Sequence, residues 1–209
     1  MTTLVENTET IQNQTIPDYL VYEVMDGKPI YYKGWQEVLA NHKIIDDIMG
    51  ASDIQAIIID CIVEYFYFQK FQGNKRLSLL YSELGLHVNT NNNFAADIAV
   101  YESLVLATHK YTGNYMSIPP KITIEVDTKA DLNNFDSTMN YFEQKTKKLL
   151  EFGVEKVIWI LTKHHKVIEM TAPYSKWIIY NWDNEIEIAD DYHFSIANLL
   201  KERGIELEV

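Results

Sequence analysis

The chain has 209 residues, 47% hydrophobic and 23% charged, the balance of a folded chain and not of a disordered one. Its single cysteine, Cys61, excludes an intrachain disulfide and a thiolate zinc site and points to a reducing, cytoplasmic setting. Eighteen basic against thirty acidic side chains give a net charge of −12, so the surface repels polyanions on average and extended wrapping of nucleic acid is not expected.

The opening residues are polar, with neither a basic n-region nor an apolar h-region, and no apolar run approaches the ~18 residues of a spanning helix, so neither a secretory signal nor a membrane segment is expected. Residues 1–17 read as a flexible N-terminal arm and 18–209 as a single domain. Tyr19–Met25 and Pro29–Tyr32 flank Asp26-Gly27, the signature of a β-hairpin. Ser52-Asp53-Ile54-Gln55 resembles a capping box. It opens AIIIDCIVEYFYFQKF, which is apolar on most sides apart from an edge of Asp53, Asp60, Glu64 and Tyr67, so a deeply packed helix is expected. Leu86–Val88 and Phe94–Val100 read as strands around an asparagine-rich turn. A further strand is predicted at Ile122–Thr128, then a helix at Ser137–Phe152 stopped by Gly153. The unbroken apolar run Val157–Leu161 suits a central strand covered on both faces. His164-His165 reads as a solvated turn, followed by strands at Val167–Met170 and Trp177–Trp182 and a closing helix at Ser195–Arg203. The order of elements implies an α/β domain with a mixed sheet.

Three features carry chemistry. Along Lys121–Lys129, strict alternation puts Ile122, Ile124 and Val126 on one face and Thr123, Glu125, Asp127 and Lys129 on the other. In Phe94–Val100 it groups Phe94, Ile98 and Val100, leaving Asp97 between Ala95 and Ala99, where two small side chains leave room for a hydrated cation. On the helix, about 100° per residue gives an inward stripe of Met139, Phe142, Leu149, Leu150 and Gly153, with Tyr141 and Phe152 at its margin. Lys145 falls inside that arc and must find a counter-charge. Two acids on adjacent strands suit magnesium, which takes one or two carboxylates and keeps several waters. Lys145 would orient a bound water or stabilise developing negative charge.

The segments AAD (95–97), PPKITIEVDTK (119–129) and KTKKLLEFGVEKVIWI (145–160), with the opening hairpin and the SDIQAIII helix, resemble the PD-(D/E)XK nuclease superfamily and, within it, its bacterial restriction endonuclease family. The resemblance runs from about Asp18 to Gly204. It implies a restriction-endonuclease-like mixed sheet flanked by helices behind an N-terminal β-hairpin, with Asp97 and Glu125 as the magnesium-binding acids and manganese as a substitute ion. The sequence departs from the superfamily pattern at Ala96, where proline is usual, and at Asp127, where the triplet Glu125-Val126-Asp127 holds an acid in place of lysine. In this branch the lysine moves to the helix, eight residues before the glycine of a GV pair, which here is Lys145 ahead of Gly153-Val154. Lys129 competes for that role. Asp127 is either a further metal ligand or the ion-pair partner of Lys145 or Lys129, and Gln55 or Glu64 on the first long helix is a candidate accessory residue.

The expected function is a metal-dependent endonuclease acting on nucleic acid, DNA foremost, as a homodimer in the cytoplasm. The alternative is an inactive nuclease-like scaffold for protein interaction, which the acidic charge favours. A nucleotide or small-molecule hydrolase fits the acids too, but neither GxxxxGK[ST] nor GxGxxG occurs.

Overall fold

The computed structural model describes residues 15–172, 176–189 and 191–206, so the expected arm at 1–17 lies almost wholly outside the described residues. Asp26 and Gly27 both take positive φ, 53° and 73°, and fold β1 (Val21–Met25) onto β2 (Lys28–Tyr31). Two short helices follow that no periodicity announced, α1 (Trp35–Leu39) and α2 (Asp46–Met49). The long helix α3 (Asp53–Phe71) starts where its cap predicts, with the Ser52 hydroxyl accepting the Gln55 N–H at 3.2 Å. A long hairpin pairs β3 (Leu77–Asn89) with β4 (Asn92–Glu102), followed by a short helix, α4 (Ser103–Thr108).

β5 (Ile122–Val126) and β6 (Lys156–Leu161) run parallel, which requires a crossover, and α5 (Thr138–Phe152) supplies it. β7 (Lys166–Thr171) and β8 (Trp177–Asn181) extend the sheet antiparallel, giving the order β2-β1-β4-β5-β6-β7-β8 with β3 also on β4. A small sheet of β9 (Ile186–Ala189) and β10 (Tyr192–Phe194) and the helix α6 (Ile196–Glu202) close the described chain. The mixed α/β architecture is the expected one. No described helix is long and apolar enough to cross a membrane.

The sheet carries a core on each face. α3 and α6 cover Ile122, Ile124, Val126, Ile158 and Ile160, while α5 covers Val157, Trp159, Ile168 and Met170. β6 is therefore buried on both sides, as its unbroken apolar run predicts. Three details differ from the sequence reading. α3 is an outer layer, with only one side against the sheet, and beside the expected edge residue Tyr67 it also leaves Phe68 and Phe71 exposed. Met139 is exposed on α5, whereas Tyr141 is fully buried. In β4 the alternation slips at Asp97: Phe94 and Ala96 pack toward α5, but Ile98 and Val100 pack toward α3. The slip faces a bulge in β3, where Ser82 and Glu83 form an extra step between Tyr81 and Leu84.

α5 ends at Gly153, whose φ of 117° is left-handed, and a Cβ there would lie 3.1 Å from the Pro119 ring. Gly153→Ala combines backbone strain with this contact and is expected to lose about 1–2 kcal/mol in urea unfolding. An unchanged midpoint would mean that the turn relaxes freely.

Candidate active site

The site lies where two strands diverge. β3 runs along one edge of β4 from Asn92 to Glu102. The other edge is shared, with β1 meeting it at Asn93 and β5 at Ile98–Val100. Between them, residues 94–97 have no ladder partner on that edge, and buried main-chain groups must be satisfied some other way. Side chains do this. The Glu23 carboxylate, from β1, accepts the Ala95 N–H at 3.1 Å, and Lys145 Nζ, from α5, donates to the Ala95 carbonyl at 2.8 Å. Asp97, from β4, accepts the Val126 N–H of β5 at 2.7 Å.

Lys145 is the hub of this fork. Its Nζ lies 2.8 Å from Glu23 Oε1 and 3.1 Å from Glu125 Oε2, so with the Ala95 carbonyl its three protons face three acceptors. The Lys145 side chain is 1% exposed and the Glu23 and Glu125 side chains 0% and 2%. Tyr141, one turn before Lys145, donates to the other Glu23 oxygen at 2.7 Å. Burial alone would depress the ammonium, but the carboxylates of Glu125 and Glu23 outweigh it and hold Lys145 protonated. Lys145 is thus a fixed cation and not a proton acceptor.

The remaining acids are less well compensated. Burial pushes Glu125 up to about 8 against the pull of Lys145, and Asp97 up to about 6 despite its bond from Val126. Three carboxylates around one ammonium leave two negative charges unbalanced whenever all are ionised. Glu125 Oε1 is buried without a hydrogen-bond partner, as is the Thr123 hydroxyl two residues earlier on the same strand. Among the described residues no group of three or more His, Cys, Asp or Glu is disposed to hold a metal ion. Magnesium needs fewer: one or two carboxylates suffice. An unpartnered oxygen on Glu125, a second acid beside it and the two excess negative charges that appear once both ionise are what a divalent cation would complement, so the residues present fit one.

The other expected site residues are placed differently. β5 ends at Val126, and Asp127 takes a φ of 57°, so the predicted shared face with Glu125 stops there. The Asp127 carboxylate accepts the Thr162 N–H at 2.9 Å and the Thr162 hydroxyl, tying the ends of β5 and β6 together. It bonds neither lysine. Lys129 lies beyond the strand end and pairs with Glu83 of β3. Gln55 does reach the site: its Nε2 donates to both Asp97 oxygens at 3.2 and 3.3 Å. Glu64 does not, and pairs with Arg203 at 3.2 Å. Cys61 is buried in the α3 core, and His165, in the predicted turn, stacks on Trp182. Sequence reasoning missed Glu23 and Tyr141. A signal for Glu23 was present: alternation sets it on the same strand face as Met25, and both are buried.

No family model matches the chain, and no curated protein is significantly similar to it. Among solved structures it is similar to a protein of Anabaena variabilis ATCC 29413 described as a "putative nuclease belonging to DUF820", with a TM-score of 0.62 and 15% identity over 93% of this chain and 97% of that one. The chain therefore shares the fold of that protein over nearly its whole length.

Proposed function

We propose that the protein is a metal-dependent endonuclease that hydrolyses phosphodiester bonds of nucleic acid, DNA foremost. The observation that carries this reading is the unpartnered Glu125 oxygen in a fork that already holds Asp97 and a locked lysine. Asp97 and Glu125 would hold Mg2+ or Mn2+, which when bound acidifies a water and neutralises phosphate charge. The chain's own groups do the rest. Lys145 fixes the Glu125 carboxylate and places a permanent positive charge beside it, suited to an anionic transition state. Glu23 and Tyr141 hold Lys145 in position, and Gln55 and the Val126 N–H orient Asp97. The nuclease-like fold of the Anabaena protein supports the same reading.

Asp97→Asn keeps the shape and the bond from Val126 but removes a ligand charge. Calorimetric titration with Mn2+ is expected to show affinity reduced at least tenfold, with plasmid cleavage lost in parallel. Equal affinity in the variant would overturn the assignment. The net charge of −12 favours a second reading, a nuclease-like scaffold for protein interaction. Absence of cleavage on DNA and RNA in both metals, together with unmeasurable Mn2+ binding, would select it.

A further inference from the structure

An acidic chain that cuts nucleic acid must seat a phosphate somewhere, and the fork offers no free cation because Lys145 is saturated. A pocket of about 470 Å³ opens beside Asp97 and Gln55, and among the described residues Lys129 is the one basic residue on its wall. A neighbouring cleft of about 530 Å³ shares Gln55 and Lys129 and adds Lys33 and Lys43. The two cavities hold these three lysines among six carboxylates, on a chain of net charge −12. Two of them are already occupied: Lys129 pairs with Glu83, and Lys43 pairs with Glu37.

Glu83 owes its position to unusual backbone. Ser82 and Glu83 form the β3 bulge, with φ of 72° and 56°, a conformation that L-residues adopt at a cost. A bulge re-aims a side chain, and this one lies opposite the Asp97 slip and puts Glu83 on the pocket wall with Lys129. The strained acid therefore lies against the one basic side chain that lines the Asp97 pocket among the described residues.

Resting on the proposed hydrolase reading, we propose that Lys129 is a phosphate-binding residue for the nucleic-acid backbone and that Glu83 is an internal stand-in, displaced when the strand enters. Lys43 and Glu37 repeat the device further along the groove. Binding becomes an exchange of one anion for another at Lys129.

The test is fluorescence anisotropy of a short fluorescein-labelled single-stranded DNA in EDTA. Glu83→Gln is expected to tighten binding about three- to tenfold, and Lys129→Met to weaken it by a similar factor. In the Lys129→Met background the gain from Glu83→Gln disappears. Glu83→Gly, whose backbone suits the bulge, gives the same gain and guards against a folding defect in the glutamine variant. Pyrophosphate competes with the DNA in the wild type and in Glu83→Gln, but not in Lys129→Met, if phosphate itself is recognised. Equal affinity of wild type and both Glu83 variants, or a gain that survives in Lys129→Met, overturns the proposal. No metal is present and no cleavage is scored, so this result stands or falls separately from the Asp97→Asn titration.

Discussion

Lys145→Met is expected to lose about 3–5 kcal/mol of unfolding free energy, because removing one member of a buried ion cluster strands the others. Methionine fills much the same volume, so the loss reports charge and not a cavity. Glu23 would keep its bonds from Tyr141 and Ala95 but lose its counter-charge, and the Ala95 carbonyl would lose the donor that reaches it across the gap. Adding Glu23→Gln to Lys145→Met should recover part of the loss, since one stranded charge is then neutral. Urea unfolding at neutral pH measures both, and plasmid cleavage is expected to vanish in both. A loss below about 1 kcal/mol would mean that water reaches the fork and solvates these acids.

Glu125→Gln, on the adjacent strand, should act in the opposite direction. Burial holds the Glu125 carboxyl at about 8 in the fold against an ordinary value of 4.5. Between those values the folded state binds more protons than the unfolded one, so metal-free stability falls as pH rises across that window and levels off above about 8. A neutral amide removes this dependence. Glu125→Gln is therefore expected to be more stable than the wild type by about 1–2 kcal/mol above pH ~8, with a flatter profile in EDTA. Asp97, raised to about 6, leaves a smaller dependence of the same sign at lower pH. The same variant should lose Mn2+ binding. A wild-type profile that climbs with pH, or one that Glu125→Gln does not flatten, would contradict the burial argument.

The parts of this site visible in the sequence were those set by periodicity. Alternation put Glu125 opposite Ile122, Ile124 and Val126, and the helical arc turned Lys145 inward, because both patterns follow from backbone geometry over several residues. What periodicity could not convey was a change of phase. The slip at Asp97 and the left-handed turn at Asp127 are single-residue events decided by tertiary partners, the β3 bulge and Thr162. Asp127 and Lys129 therefore read as members of a face that ends before them. Glu23 lies in the hairpin, where an acid usually faces water, although Met25 marks its face as buried. The helices α1 and α2 are too short for a 3.6-residue period to register.

The bond between Glu23 and Lys145 joins residues 122 apart in the chain. Closing so long a loop is entropically expensive and awaits prior collapse of the intervening segments. During synthesis the first strand must wait, its acid still hydrated, until the second half of the domain has emerged. A partially made chain would thus lack the charge arrangement of the fork, and the buried cluster would be completed only at the close of folding.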